Sequence, residues 1–241
     1  MLSILQGHEE MSTSRETSIG GSRRAFEPTA WTVVFQARDG RGMSALVERY
    51  WKPCYFYIRR RGHDVEDSKD LTQGFFADLL EREALAAVTR SKGRFRSFLR
   101  ACLDHYLSNE YDRRKARKRG GKVLPLDFAG AETQLAATKA ESPDRAYRRQ
   151  WAVGVLERAL EALRGEMGPR FGALREYITA GQPGSLREVA DRLGISEGNV
   201  KVILHRARRR YRELLRQEVG RTVETPAEVD DELRDLFSAL S

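Results

Sequence analysis

From Trp31 onward apolar residues recur at helical spacing, and the breaks in that spacing divide the chain into segments. Leu46, Tyr50 and Trp51 form a first stripe. Pro53 follows it and is expected to kink or end that helix, because proline lacks the N–H a helix interior needs. RRRGHDVED breaks the pattern, and DLTQGFFADLLER then brings Leu71, Phe75, Phe76, Leu79 and Leu80 to one face. A cleaner helix follows KGR, with Phe95, Phe98, Leu99, Cys102, Leu103, Tyr106 and Leu107 at i, i+3, i+4, i+7 and i+8 positions. It runs into YDRRKARKRGGK, where seven basic residues face one acidic residue. Periodicity fails over 120–145, whose prolines and small polar residues predict a linker with at most a short turn. A second block starts near Ala146: Trp151, Val155, Leu156 and Leu160 lead to a break at GEMGPR, then Phe171, Leu174 and Ile178 lead to AGQPGS. No sustained period-two run and no 20–50-residue repeat is visible. The expected fold is all-α, two helical modules joined by a flexible linker.

The second module ends in LREVADRLGISEGNVKVILHRARRRYRELLR. Leu186, Val189, Ala190 and Leu193 make the apolar face of a short helix, and Gly194 stands where a left-handed residue would end it. Ser196 is placed to cap the next helix, in which Val200, Leu204, Ala207, Tyr211 and Leu214 face inward. The other side carries Glu197, Asn199, Lys201, Val202, His205, Arg206, Arg208 and Arg209. A helix pair around a glycine-containing turn, the second helix basic, is the geometry that lays a helix in the major groove. The bland alternative is a helical hairpin whose seven basic residues in 201–216 are merely solvated.

Charge sharpens this without deciding it. Charged residues make up 32% of the chain and the formal net charge is +8, which favours a polyanionic partner. Cys54 and Cys102 stand alone, with no CxxC pair and no His/Cys cluster, and read as buried small apolar residues in a reducing compartment. No apolar run reaches the ~18 residues a membrane span needs, and the N-terminus lacks a signal-peptide pattern, so the expectation is a cytoplasmic protein without a membrane partner. Residues 1–28 read as a disordered lead-in rich in Ser, Thr, Gly and Arg, within which Met11 is an alternative start.

Three stretches carry a family resemblance. Ser196, Gly198, Val200 and Lys201, followed by Arg206, Ala207 and Arg208, are similar to the DNA-binding end of RNA polymerase sigma factors of the extracytoplasmic-function (ECF) class, within the sigma-70 family. EDSKDLTQGFFADLLER resembles the second region of such factors, with Asp70, Leu71, Gln73 and Phe76 in a D-L-x-Q-x-x-F arrangement. GRFRSFLRACLDHYLSNEYDRRKARKR resembles the helix that opens the promoter −10 element. WTVVFQARDG, RYWKPCYFYIRRRG and PAEVDDELRDLFSAL resemble a planctomycete-type subgroup. His105 and Asn109 stand where the wider class has Asn and Asp, and Gly74 replaces a usual Glu.

The resemblance implies a region-2-like domain over 29–119, the linker 120–145, a region-4-like domain over 146–218 and an acidic extension over 219–241. It implies core RNA polymerase and promoter DNA as partners, leaves room for an anti-sigma factor, and calls for no cofactor, metal or catalytic residue. Asp67, Asp70, Gln73 and Phe76 would dock on polymerase; residues 63–83 hold seven acidic and two basic residues, which suits a basic partner. The same acids also favour a helix N-terminus. A nuclease carboxylate site would need a second cluster that is not there. Arg96, Arg100, Asn109, Tyr111, Arg113, Arg114, Lys115 and Arg117 are the −10 candidates, Tyr111 for stacking on an unpaired base. Phe98 and Tyr106 fit core packing better by their spacing. The −35 candidates are Ser196, Glu197, Asn199, Lys201, Val202, His205, Arg206, Arg208 and Arg209. About 25 linker residues at ~3.3 Å each reach ~80 Å, against roughly 70 Å for two turns of duplex. The tail, six acidic residues to one basic over 223–241, is expected to pack on the second module and screen its basic face. The rival functions are a dimeric operator-binding regulator, which leaves the upstream module without a task, and a nucleic-acid enzyme.

Overall fold

Helix α1 (Arg41–Arg60) continues past Pro53 and does not end there. Proline in a helix interior costs about 3 kcal/mol. Here the residues around it, Tyr50, Trp51, Cys54, Tyr55, Phe56, Tyr57 and Ile58, are all buried. Each such side chain contributes about 1.5–3 kcal/mol on burial, so the sum outweighs the lost hydrogen bond. Burial on nearly every side of the helix also explains why apolar residues crowd 54–58 beyond the stripe of Leu46, Tyr50 and Trp51.

The structure, a computed structural model, describes residues 41–81, 94–114, 125–138, 141–180, 184–223, 225 and 227–241. All elements among them are helices: α1, α2 (Val65–Glu81), α3 (Phe95–Arg114), α4 (Phe128–Ala136), α5 (Pro143–Met167), α6 (Arg170–Thr179), α7 (Leu186–Leu193), α8 (Glu197–Gly220) and α9 (Glu228–Leu240). They form two compact units. One is Glu157–Gln217; the other holds the described residues up to Leu156 together with Glu218–Ser241. The boundaries between them fall inside α5, after Leu156, and inside α8, after Gln217. The lead-in expected over 1–28 lies outside the described residues.

In the larger unit α2 packs on α1 and α3 through Leu71, Phe75, Phe76 and Leu79. Tyr106 of α3 meets Phe75 at 5.7 Å between ring centroids. Helix α4 occupies part of the expected linker. Asp127 caps it, accepting from Gly130 N–H at 3.0 Å, and Phe128, Ala131 and Leu135 are buried. Phe128 sits against Trp51 at 5.4 Å and Tyr55 at 5.0 Å. Glu132 accepts from Arg59 Nε at 2.7 Å and from the Tyr55 hydroxyl at 2.6 Å. A helix rises only about 1.5 Å per residue, so the reach computed for an extended linker does not apply to 128–136.

Helix α9 corrects a second expectation. Its acids engage the start of α3: Glu232 is fully buried and accepts from Arg96 at 2.6 and 3.0 Å and pairs with Arg94 at 2.9 Å. Asp235 pairs with Arg94 and, at 2.8 Å, with Arg96. The Arg96 guanidinium also lies 4.5 Å from the Trp151 ring centroid. These two acids pair with arginines of the larger unit, where the sequence suggested the basic face of 201–216.

Candidate nucleic-acid interface

The turn between α7 and α8 is built by three small residues. Ser185 Oγ accepts from Arg187 N–H at 3.2 Å and opens α7. Gly194 closes it at φ 64°, a left-handed conformation that glycine takes without strain. Ser196 Oγ accepts from Asn199 N–H at 3.3 Å and opens α8. Val200, Leu204, Ala207, Tyr211 and Leu214 are buried at the expected spacing, as are Val189 and Ala190 of α7.

Ser196, Glu197, Asn199, Lys201, Val202, His205, Arg206 and Arg209 are exposed, so the polar face is continuous. Arg208 departs from it. Its guanidinium donates twice to the Tyr177 carbonyl, at 3.2 and 2.7 Å, near the C-terminus of α6. It satisfies a helix-end carbonyl and ties α8 to α6. The Tyr177 hydroxyl donates to the Ser185 carbonyl at 3.1 Å, joining α6 to the start of α7. Arg210 pairs with Glu166 at 2.7 Å and Glu213 at 3.0 Å. The hydrogen bond from Arg210 holds the Glu166 carboxyl below the usual carboxylate range. Tyr177 and Glu166 were not among the sequence candidates, since each partner lies more than 30 residues away and no local pattern marks it.

The upstream candidates divide. Asp64 Oδ1 accepts from Asp67 N–H at 2.8 Å and caps α2, and Glu66 pairs with Lys69 at 2.7 Å. Asp70 is exposed and Asp67 and Gln73 are half-buried. Phe76 is fully buried with its ring 5.2 Å from Phe75, so it shapes α2 from inside and is not presented to a partner. Arg96, 5% exposed and held by Glu232, is likewise withdrawn from the −10 set by its burial. Arg100 is half-buried, paired with Asp104 at 3.0 Å and Asp144 at 2.8 Å. Asn109 lies 3.1 Å from His105 Nε2. Tyr111 is 70% exposed, whereas Tyr106 is in the core. The side chains of Arg113 and Arg114, and the whole of Lys115 and Arg117, lie outside the described residues.

Among the described residues no group of three His, Cys, Asp or Glu side chains is arranged to hold a metal, and no helix is long and apolar enough to cross a membrane. Burial pushes the Cys54 thiol well up and the Cys102 thiol to about 11, which makes both poor nucleophiles.

Residues 170–213 match the family model of sigma-70, region 4. That region is a DNA-binding helix-turn-helix domain and not an enzyme family, and the match spans α6, α7 and most of α8. No curated protein and no solved structure matches the chain.

Proposed function

We propose that the chain is a sigma factor of the ECF class, which binds core RNA polymerase in the cytoplasm and directs it to specific promoters. The observation that carries this is the sigma-70 region 4 match falling on a helix-turn-helix whose second helix has a continuous exposed face rich in polar residues. In this reading Lys201, Arg206 and Arg209 neutralise phosphates of an upstream element, the contribution that makes affinity fall with salt. Asn199 reaches a base edge, where Asn suits adenine. The larger unit supplies the other two tasks. The acids of α2, exposed Asp70 and half-buried Asp67 with Gln73 beside them, suit a basic patch on polymerase. Tyr111, projecting from the end of α3 ahead of a basic run, suits an unstacked base of an opened −10 element, a contact of ~1–3 kcal/mol.

The test is reconstitution. The full chain mixed with core RNA polymerase should form a stable complex and initiate transcription from a subset of genomic fragments. A chain that fails to capture polymerase, yet alone binds a two-half-site duplex tightly as a dimer, is instead an operator-binding regulator.

A further inference from the structure

The outward face of α8 is centred on an apolar residue. With 3.6 residues per turn, Val202 lies roughly 160–180° from the buried Val200, Leu204 and Tyr211. Gly198, Asn199, His205, Arg206 and Arg209 fall within roughly 60° of it, and all are exposed. Val202 is itself 47% exposed; among the described residues it and Tyr111 are the exposed large hydrophobics. A single surface valine needs no explanation alone. This one occupies the middle of a charged face, and a β-branched residue there is a weaker helix former than the lysine or arginine around it.

One turn earlier on the same stripe stands Gly198, which the protein's own packing does not require. Its φ is not among the positive ones, and a β-carbon built on it would meet only Ser196 Oγ, at 3.9 Å. Glycine weakens a helix, and one use for it is to let a ligand approach the backbone. Gly198 and Val202 thus form a short apolar strip, flanked by Asn199 as a base-reading group and by Lys201, Arg206 and Arg209 as phosphate-facing cations. An apolar knob beside polar edges on a polyanion is what thymine offers in the major groove, through its 5-methyl group. An RNA duplex has no such methyl, and its major groove is too narrow for a helix.

We propose that Val202 packs against the 5-methyl group of a thymine in the duplex element that α8 reads, with Gly198 leaving room for the DNA to approach. The proposal rests on the sigma-factor reading above and adds a base identity to it.

The experiment starts from duplexes enriched from a random pool by the full chain assembled with core polymerase. Each thymine of the enriched element is then replaced by deoxyuracil, which removes the methyl and nothing else. One replacement should weaken binding about fourfold, the effect of one buried methylene-sized group. Val202→Ala should weaken binding to the thymine duplex to a similar degree and bind the deoxyuracil duplex no differently. At the same position 5-methylcytosine should bind Val202 protein better than cytosine does. Gly198→Ala should remain helical by circular dichroism and still lose affinity. Insensitivity to deoxyuracil at every position, or an undiminished sensitivity in Val202→Ala, overturns the proposal while leaving the sigma-factor reading intact. A pool from which no duplex is enriched overturns both together, which keeps the two failures distinguishable.

Discussion

Gly74 and Tyr106 meet where α2 packs on α3. A β-carbon on residue 74 would lie 2.3 Å from the Tyr106 hydroxyl oxygen and 3.5 Å from its Cζ. The ring is buried and pinned against Phe75, so it cannot swing clear. This gives a physical reason for glycine at position 74. Gly74→Ala should therefore destabilise the fold by about 1–3 kcal/mol, the usual cost of overpacking. Adding Tyr106→Phe removes the clashing oxygen and should recover most of the loss in a urea titration. Arg206 and Arg208 provide a second contrast at this scale. Arg206→Ala should lower the salt slope of DNA binding by about 0.9, one phosphate contact. Arg208→Ala should instead lower the unfolding free energy by about 1–3 kcal/mol, because the Tyr177 carbonyl loses a charged donor. Equal effects of the two substitutions on the salt slope would put Arg208 back on the DNA.

At the scale of elements, α9 and α4 are held by charge. The Arg96–Glu232 pair is buried on both sides; removing one partner of such a pair costs up to about 3–5 kcal/mol, and without Glu232 Arg96 keeps the more exposed Asp235. Glu232→Ala should show that loss, and Arg96→Met with Glu232→Leu should regain it. Truncation after Gly220 should lower the stability of the larger unit, which a tail screening the recognition helix would not do. Helix α4 should respond to acid. The hydrogen bond from Arg59 chiefly holds the Glu132 carboxyl below its ordinary range, with Tyr55 and the Arg59 charge helping against partial burial. The folded state therefore binds this proton more weakly than the unfolded chain. The stabilisation is complete above the ordinary carboxylate range and is lost as pH falls through the lowered folded value. Amide exchange in 128–136 should speed up relative to α1 on acidification, and Glu132→Gln should flatten that dependence.

For the whole molecule, polymerase capture is the property to test. Asp70 is exposed and Asp67 half-buried on α2, away from the stripe of Leu71, Phe75 and Phe76. Changing both to Lys turns attraction toward a basic surface into repulsion. The double variant should keep its helical circular dichroism, lose capture of core polymerase and promoter-dependent initiation, and bind non-specific DNA as well as before or better. A folded double variant that still captures polymerase removes this acidic face from the mechanism.

Local order carries its own signal, and that is what the sequence settled. Most of the helices, the Gly194 stop and the Ser196 start, and the inward spacing of Val200 through Leu214 all depend on neighbours within a turn or two. So does the exposed face of α8, which is the complement of that spacing. What tertiary structure decided was every role set by a distant partner. Pro53 sits inside a helix because the unit is buried around it. A segment of alanine, glycine and threonine becomes α4 because Phe128 finds Trp51 and Tyr55, and Glu132 finds Arg59. Phe76 is sealed inside, Arg96 is closed between Trp151 and Glu232, and Arg208 turns to the Tyr177 carbonyl. A charged or aromatic residue looks the same in a sequence whether it faces water or a partner 136 positions away, because burial and pairing belong to the folded chain.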